Sequence, residues 1–339
     1  MKKLLYPLLI LIICLFLIVS CVPAQPELMD SVPTAEPSSE MLQPRSDEKY
    51  VAISCMSSYE YFTDHRIGFT KACQELGVDF EYLAPMENDI EAMKKHFFDA
   101  IDQGVDGIVV FGASDELGEM IDLAWEAGIP CVTIDGDIED SKRIAFVGTD
   151  SENAGEYSAQ IAIRELGPKG RIIILTELEM ALHQARTQAA LNYFESYPNV
   201  EVLTLVETGA STDTAYDAAI DALQEYPDTD LILCTDYFGG AAAAAAVEEL
   251  GKVGEIKIIS MDRSSYVLKK IEEGVITATV MQQTALMPYY AMRILYDYNN
   301  PGVTVVADKE RTGVTGVPSE INTGVFVIDK NNYEYFTRN

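Results

Sequence analysis

The most restrictive feature of this sequence is an alternation of short β-branched runs with longer amphipathic stretches, and the alternation occurs twice. In the first set, predicted strands and helices alternate over residues 50–55, 64–76, 78–83, 90–103, 107–111, 117–127 and 131–135. In the second set they alternate over residues 171–175, 182–197, 200–206, 214–226, 231–234, 241–250 and 256–261. The chain is therefore expected to form two lobes of similar construction.

The spacing of the segments supports this repeat. Corresponding strand positions recur after 28 and 29 residues in the first set, and after 30 and 32 residues in the second. Strands that alternate with helices form parallel sheets, and right-handed crossovers place the helices on both faces of each sheet. The predicted fold class is α/β, with two Rossmann-like, doubly wound parallel-sheet lobes.

The charge of the chain excludes two broad classes of protein. Its 339 residues include 24 Lys and Arg against 54 Asp and Glu, which gives a net charge of −30. Such a field repels nucleic-acid phosphates, so nucleic-acid binding is not expected. Because 48% of the residues are apolar and fall in periodic blocks, an intrinsically disordered chain is excluded as well.

The first twenty residues have the pattern of an export signal. Lys2 and Lys3 precede an apolar run at 4–19 that is shorter than the ~20 residues a spanning helix needs. The run ends in Ile18-Val19-Ser20-Cys21, which resembles a bacterial lipobox with Cys21 as the lipidated residue. The alternative is an uncleaved anchor helix. In both cases the chain is expected outside the cytoplasm and attached to the cell membrane.

Residues 21–48 and the remaining cysteines have simpler interpretations. The segment is rich in Pro, Ser and acidic residues, which predicts a disordered tether between lipid and globule.

Four further cysteines lie in apolar segments, where buried thiols are favoured; disulfide bonds are the alternative, because an exported protein can form them. They are Cys55, Cys73, Cys131 and Cys234. No Cys/His spacing indicates a metal site, and no cofactor is expected.

Acidic and aromatic side chains follow several predicted strands, where open parallel sheets bind their ligands. Aromatic rings cover the C–H faces of a sugar, while carboxylates and a guanidinium bind its hydroxyls. The alternatives are helix-entry packing for the aromatic residues and capping or turn formation for Asp135 and Asp262. These positions are Tyr61 and Phe62 after the first strand, Asp135 after the fourth, and Asp236 and Asp262 in the second lobe.

Seven short motifs occur in a fixed order between residue 50 and about residue 329. They are Tyr61-Phe62 ahead of Gly68-Phe69, Ile134-Asp135, Val147-Gly148-Thr149-Asp150 with Ala154-Gly155, Arg186 before Ala189-Ala190, Asp236, Ser260-Met261-Asp262, and Gln282. In this order they resemble the type I periplasmic sugar-binding proteins, the ribose-binding group in particular.

The resemblance implies two lobes joined by three crossings, with a ligand between them and closure by hinge bending. The first lobe would comprise 49–149 plus 283–312, and the second 150–282 plus 313–339. It also implies a monomer that delivers a pentose-like or hexose-like sugar to an ABC transporter permease. The implied ligand contacts are Tyr61, Phe62, Asp135, Arg186, Asp236, Asp262 and Gln282, with Tyr59, Arg66, Asp137, Tyr237 and Arg263 as further candidates.

Departures from the family pattern leave the ligand open. Gly136 stands where the family has an arginine, Asp236-Tyr237 replaces Asn-Asp, and the second-lobe aromatic residue falls near Thr212. Residues 75–79 and 82–85 are also similar to binding proteins for a furanose-like quorum signal. A sensor lipoprotein that presents its ligand to a membrane kinase or chemoreceptor is a further alternative.

Enzymatic functions have little support in the sequence. It contains no G-x-S-x-G, Walker or G-x-G-x-x-G motif, and its three histidines provide little material for imidazole chemistry. The acidic run 135–140 lacks the central Gly and terminal Glu of a calcium loop. A sugar-responsive repressor shares this fold, but the export signal and the missing basic DNA-binding segment argue against one.

Overall fold

The structure is a computed structural model that describes residues 47–209, 211–302, 305 and 309–337. The predicted signal at 1–20, the lipidation of Cys21 and all but the end of the tether at 21–48 lie outside the described residues. Among the helices that are described, none has the length and apolar character needed to cross a membrane.

The elements of the first set agree closely with the predicted alternation. They are β1 (Lys49–Ile53), α1 (Glu60–Leu76), β2 (Asp79–Leu83), α2 (Ile90–Gln103), β3 (Gly107–Phe111), α3 (Gly118–Glu126), β4 (Cys131–Ile134) and β5 (Ala145–Gly148). Every residue of β3 is buried, as its unbroken apolar sequence predicts for a central parallel strand.

The second set repeats this pattern. Its elements are α4 (Ser151–Leu166), β6 (Lys169–Thr176), α5 (Ala181–Phe194), β7 (Asn199–Glu207), α6 (Thr212–Glu225), β8 (Leu231–Cys234), α7 (Gly239–Glu249), β9 (Lys257–Met261), α8 (Ser265–Glu273) and β10 (Ala278–Gln282). The chain continues through α9 (Leu286–Asn299), α10 (Lys309–Thr312), β11 (Glu320–Asn322) and β12 (Val325–Asp329).

Within the described residues the strands form two six-stranded sheets with matching order. The first runs β11-β5-β4-β3-β1-β2 and the second β12-β10-β9-β8-β6-β7. All pairs are parallel except β10 with β12. The two-lobed, doubly wound α/β fold predicted from the sequence is confirmed.

Two of the differences from the predicted boundaries affect the site and the lobes. Helix α1 begins at Glu60, four residues before the predicted start, because its N-cap Tyr59 forms no side-chain capping bond that the sequence would reveal. The last crossing lies at Thr323 and Gly324, since β11 pairs with β5 in the first sheet while β12 pairs with β10 in the second. Assigning all of 313–339 to the second lobe was therefore wrong.

The hydrophobic core is divided between the lobes. One cluster lies around β1, β3 and β4, and two further clusters lie in the second lobe. The four cysteines within the described residues are buried and unpaired in these cores. Burial raises the pKa of Cys73 to about 12, so this thiol is in its protonated, inert form at neutral pH.

Candidate ligand-binding site

A cavity lies between the two lobes at the carboxyl ends of both sheets. Its volume is about 220 Å³. The strand order reverses between β1 and β3 in the first lobe and between β6 and β8 in the second. Loops that leave opposite faces of a sheet at such a point open a crevice, and the cavity occupies both crevices at once.

Aromatic rings from both lobes form much of the cavity wall. Tyr59, Tyr61 and Phe62 come from the start of α1, and Tyr237 and Phe238 from the loop after β8. The ring of Tyr59 lies 5.4 Å from that of Phe238 and 5.8 Å from that of Tyr237, measured between centroids. Such a wall offers flat apolar faces to a small ligand and excludes water around it.

Two aspartates occupy equivalent places in the two lobes. Asp135 follows β4 with φ +66°, and Asp262 follows β9 with φ +61°; among the described residues other than glycine, these are the ones with positive φ. Each donates its backbone N–H across the sheet, Asp135 to the carbonyl of Val147 and Asp262 to that of Val280. The matched left-handed geometry turns both carboxyl groups into the cavity, and strain of this kind concentrates at functional sites.

Gln282 connects these aspartates through one hydrogen-bond network. Its Oε1 accepts from Arg186 Nη2 at 2.9 Å, and its Nε2 donates to Asp262 Oδ1 at 3.0 Å and to Tyr61 Oη at 3.3 Å. Tyr61 in turn donates its hydroxyl proton to Asp135 Oδ2 at 2.6 Å. The network spans both lobes and fixes the orientation of the Gln282 amide.

The cavity changes the ionisation of its acids. Burial raises the pKa of Asp262 to about 6, with Asp135 adding to the rise and Arg186 and Gln282 opposing it. Burial also raises the pKa of the Tyr61 hydroxyl, and the Asp135 carboxylate beside it acts in the same direction. Tyr61 is therefore a hydrogen-bond donor at neutral pH.

Arg186 provides the guanidinium of the site. It lies on α5 with 2% of its surface exposed, and Nη1 donates to the carbonyl of Thr235 at 3.2 Å. Its Nε is buried without a hydrogen-bond partner in the structure, next to the cavity that Arg186 lines. An unpaired buried donor of this kind is available to a ligand oxygen.

Four of the predicted contact residues do not line this cavity. Asp236 is fully buried below the wall, where it accepts from Thr208 Oγ1 and from the backbone N–H groups of Phe238 and Gly239. It therefore shapes the loop that carries Tyr237 and Phe238, a turn-forming role that was not predicted for it.

The other three also lie away from the cavity. Asp137 pairs with Arg143 and accepts from Thr133 Oγ1, which holds the loop after β4. Arg263 donates to Asp64 of the first lobe, and Arg66 is exposed on α1. None of the three lies among the residues that line the cavity.

Several cavity residues were not predicted from the sequence. Most come from loops at the two strand-order reversals, and their position after β1, β2, β3 and β6 is the signal that would have found them. They are Cys55, Met56, Asn88, Phe111, Ala113, Glu177, Met180, Leu182, His183 and Phe238. Glu177 is the residue directly after β6, and His183 lies one helical turn before Arg186.

Two of the three histidines lie at or beside the cavity. His183 lines the cavity, and His65 is fully buried with its Nε2 3.7 Å from Asp135 Oδ2. Burial lowers the pKa of His65, against the opposing effect of Asp135 and Asp64. His65 is thus uncharged at physiological pH and lies next to Asp135.

Steric crowding explains why glycine follows Asp135 in the sequence. A Cβ at Gly136 would lie 2.2 Å from the carbonyl oxygen of Gly112, and one at Gly112 would lie 2.0 Å from that of Gly136. The two backbone segments are so close that neither position has room for a Cβ atom. Arginine, which the resemblance implies at this position, is therefore incompatible with this loop.

Comparisons with known proteins agree with this architecture. The D-allose-binding periplasmic protein of Escherichia coli K12 is 26% identical over 272 residues, which cover 77% of this chain and 88% of that protein. AraP, an arabinose-binding protein from Geobacillus stearothermophilus, matches with a TM-score of 0.79 and 29% identity over 86% of this chain and 100% of its own. A chain in the structure of the XylFII-LytSN complex matches with a TM-score of 0.70 and 28% identity, over 84% of this chain and 98% of its own.

A family model described as a periplasmic binding protein domain matches residues 50–302, most of the chain. The matched segment contains both crevices and every residue that lines the cavity. This chain therefore belongs to the periplasmic binding protein domain family.

Proposed function

We propose that this protein is an extracytoplasmic binding protein that holds one monosaccharide between its lobes and delivers it to an ABC transporter permease. The observation that carries the proposal is the cavity, whose aromatic faces and hydrogen-bonding groups come from both lobes. Relatives named for binding D-allose, ribose and arabinose support the same ligand class.

The chemistry of the wall suits a neutral, hydroxyl-rich ring. The carboxylates of Asp135 and Asp262 accept hydrogen bonds from hydroxyls, and the unpaired Nε of Arg186 donates one. Tyr59 and Tyr237 cover the C–H faces of the ring. The family consists of binding proteins, and we propose that this chain too binds its ligand without breaking a bond.

Ligand bridging gives a reason for hinge closure. Asp135 belongs to the first lobe, whereas Arg186 and Asp262 belong to the second. A sugar that contacts all three binds the closed arrangement better than the open one, and only such a difference in affinity can move the equilibrium. The closed shape is then what a permease recognises.

A thermal-shift screen tests the proposal. D-allose, D-ribose, L-arabinose, D-xylose and D-glucose are added to the purified protein, with sugar phosphates and peptides as controls. A neutral sugar at about 100 times its Kd stabilises the folded state by ~2.7 kcal/mol and raises Tm. A screen in which only anionic or peptide ligands raise Tm contradicts the proposal.

A signalling role is the second candidate, and the match to the complex of XylFII with LytSN is the observation that favours it. In this case the liganded protein binds a membrane sensor and not a permease. The furanose-like quorum signal remains an alternative ligand and belongs in the same screen. Co-purification from membranes with and without sugar identifies which class of membrane protein retains the chain.

We also propose that Cys21 carries a lipid that anchors the exported protein to the membrane. Cys21→Ser removes the acylated thiol, so the variant is expected in the soluble extracytoplasmic fraction while the wild type stays with the membrane. Cys73→Ser, which changes a buried thiol in the first lobe, is the matched control. Retention of Cys21→Ser in the membrane fraction would instead indicate an uncleaved anchor helix.

A further inference from the structure

Glu177 and His183 form a polar pair in the second-lobe wall of the cavity. His183 Nδ1 lies 3.4 Å from Glu177 Oε2, and both residues line the cavity. His183 is 8% exposed, and its Nδ1 is buried without a hydrogen-bond partner in the structure. At this distance the pair is close to a hydrogen bond without completing a good one.

The position of the pair is fixed by two elements. Glu177 comes directly after β6 at the strand-order reversal, and His183 lies in the first turn of α5. Because His183 and Arg186 are three residues apart on this helix, they face the same side. The pair and Arg186 thus present an acceptor, an imidazole and a guanidinium side by side.

The pair, like Arg186 with its Nε, contains a buried polar atom without a hydrogen-bond partner, whereas the two aspartates of the cavity are already hydrogen-bonded. Asp135 accepts from Tyr61, and Asp262 accepts from Gln282, so both carboxylates are oriented within the protein. His183 Nδ1 has no such partner. A buried nitrogen without a partner is unfavourable, and a ligand hydroxyl that bridges it to Glu177 removes this penalty.

We propose that Glu177 and His183 are the specificity-determining pair of this site, and that together they bind one hydroxyl of the sugar. Glu177 accepts from that hydroxyl, and the imidazole donates to it or orients the carboxylate. The inference rests on the proposed sugar-binding function. It predicts that sugars lacking this hydroxyl, or carrying it in the other configuration, are rejected at this wall of the cavity.

The test is a set of calorimetric titrations with the sugar that binds most tightly in the screen, together with its monodeoxy analogues and epimers. The variants are Glu177→Gln and His183→Gln. His96→Gln on α2 is the matched control, because His96 does not line the cavity. Each variant's melting temperature without ligand is measured first, so that a variant that fails to fold is recognised.

The expected result is a loss of affinity that differs from one sugar to another. Both variants lose about 10- to 100-fold in affinity for the preferred sugar, as for a hydrogen bond to a charged group, and bind one analogue as well as the wild type does. His96→Gln binds every sugar normally. An equal loss for all sugars, or no loss, overturns the inference; a wild-type protein that binds no sugar overturns the proposed function instead.

Discussion

At the scale of a single residue, Asp262 is a proposed ligand contact that lowers the stability of the folded protein at neutral pH. Its carboxyl group is buried between Asp135 and Arg186, and its pKa rises from 3.8 to about 6. The folded protein therefore holds a proton that the unfolded chain releases between about pH 4 and pH 6. Stability falls as the pH rises through this window and stays lower above it.

Replacement of this carboxyl should stabilise the ligand-free protein. Because a shift of one pKa unit corresponds to about 1.4 kcal/mol, Asp262→Asn is expected to raise the free energy of unfolding by ~1–3 kcal/mol at pH 7.5 and by little at pH 4. Urea melts at the two pH values measure this, and sugar affinity should fall in the same variant.

The control for this prediction is Asp99→Asn, a half-exposed acid on α2. It should leave the pH dependence of unfolding unchanged. If Asp262→Asn changes stability equally at both pH values, ionisation of Asp262 is not the cause.

Sequence reasoning identified the residues of the site that stand next to strand ends. Asp135 and Asp262 were found because they follow strands at equivalent places in a repeated pattern. Glu177 directly follows β6 and His183 lies in the first turn of α5, so their positions after a strand could have indicated them; the cavity contact itself depends on the folded arrangement and has no periodicity in the sequence. The contact of Arg263 with Asp64 could not be predicted, because the two residues are 199 positions apart in the sequence.

At the scale of elements, the contact between α4 and α5 holds Arg186 in the cavity wall. A Cβ at Gly155 of α4 would lie 2.0 Å from the backbone carbonyl oxygen of Arg186. The two helices therefore touch backbone to backbone at the turn that carries the guanidinium. The motif Ala154-Gly155 was visible in the sequence, but its contact with a helix some thirty residues later was not.

Gly155→Ala should separate these helices. A methyl group cannot be accommodated there unless α5 moves, so we expect a loss of ~1–3 kcal/mol in the free energy of unfolding and weaker sugar binding as Arg186 shifts. Chemical denaturation and calorimetry measure the two effects. Glu156→Ala, an exposed change on the same helix, is the control; normal affinity and stability in Gly155→Ala would contradict this account.

At the scale of the whole molecule, the lobes also meet outside the cavity. Arg263 of the second lobe donates to Asp64 of the first at 2.7 Å and to the carbonyl of Phe336. Nearby, the backbone N–H and the hydroxyl of Ser265 both donate to Glu60 Oε2. These bonds need the lobes to be together but need no ligand, so they favour the closed arrangement in advance of binding.

Arg263→Ala should shift the lobes toward an open arrangement. A loss of about 1–2 kcal/mol in the stabilisation of the closed arrangement lowers the apparent sugar affinity about 5- to 30-fold, because the binding-competent fraction is smaller. Calorimetry gives the affinity, and small-angle scattering of the ligand-free protein should show a larger radius of gyration.

The control is Arg171→Ala, whose ion pair with Asp228 lies within the second lobe. It removes the same charge without touching the contact between lobes, so its affinity and scattering should match the wild type. Equal behaviour of the two variants would mean that the Arg263 contact has no part in closure.

The crossing at Thr323 and Gly324 has a mechanical consequence. Asn322 ends a strand of one sheet and Val325 begins a strand of the other, with two residues between them. Even fully stretched, this link spans only about 10 Å. The lobes therefore cannot separate by translation at that edge. Any opening must be a rotation about the link, so the cleft widens most at the side farthest from it.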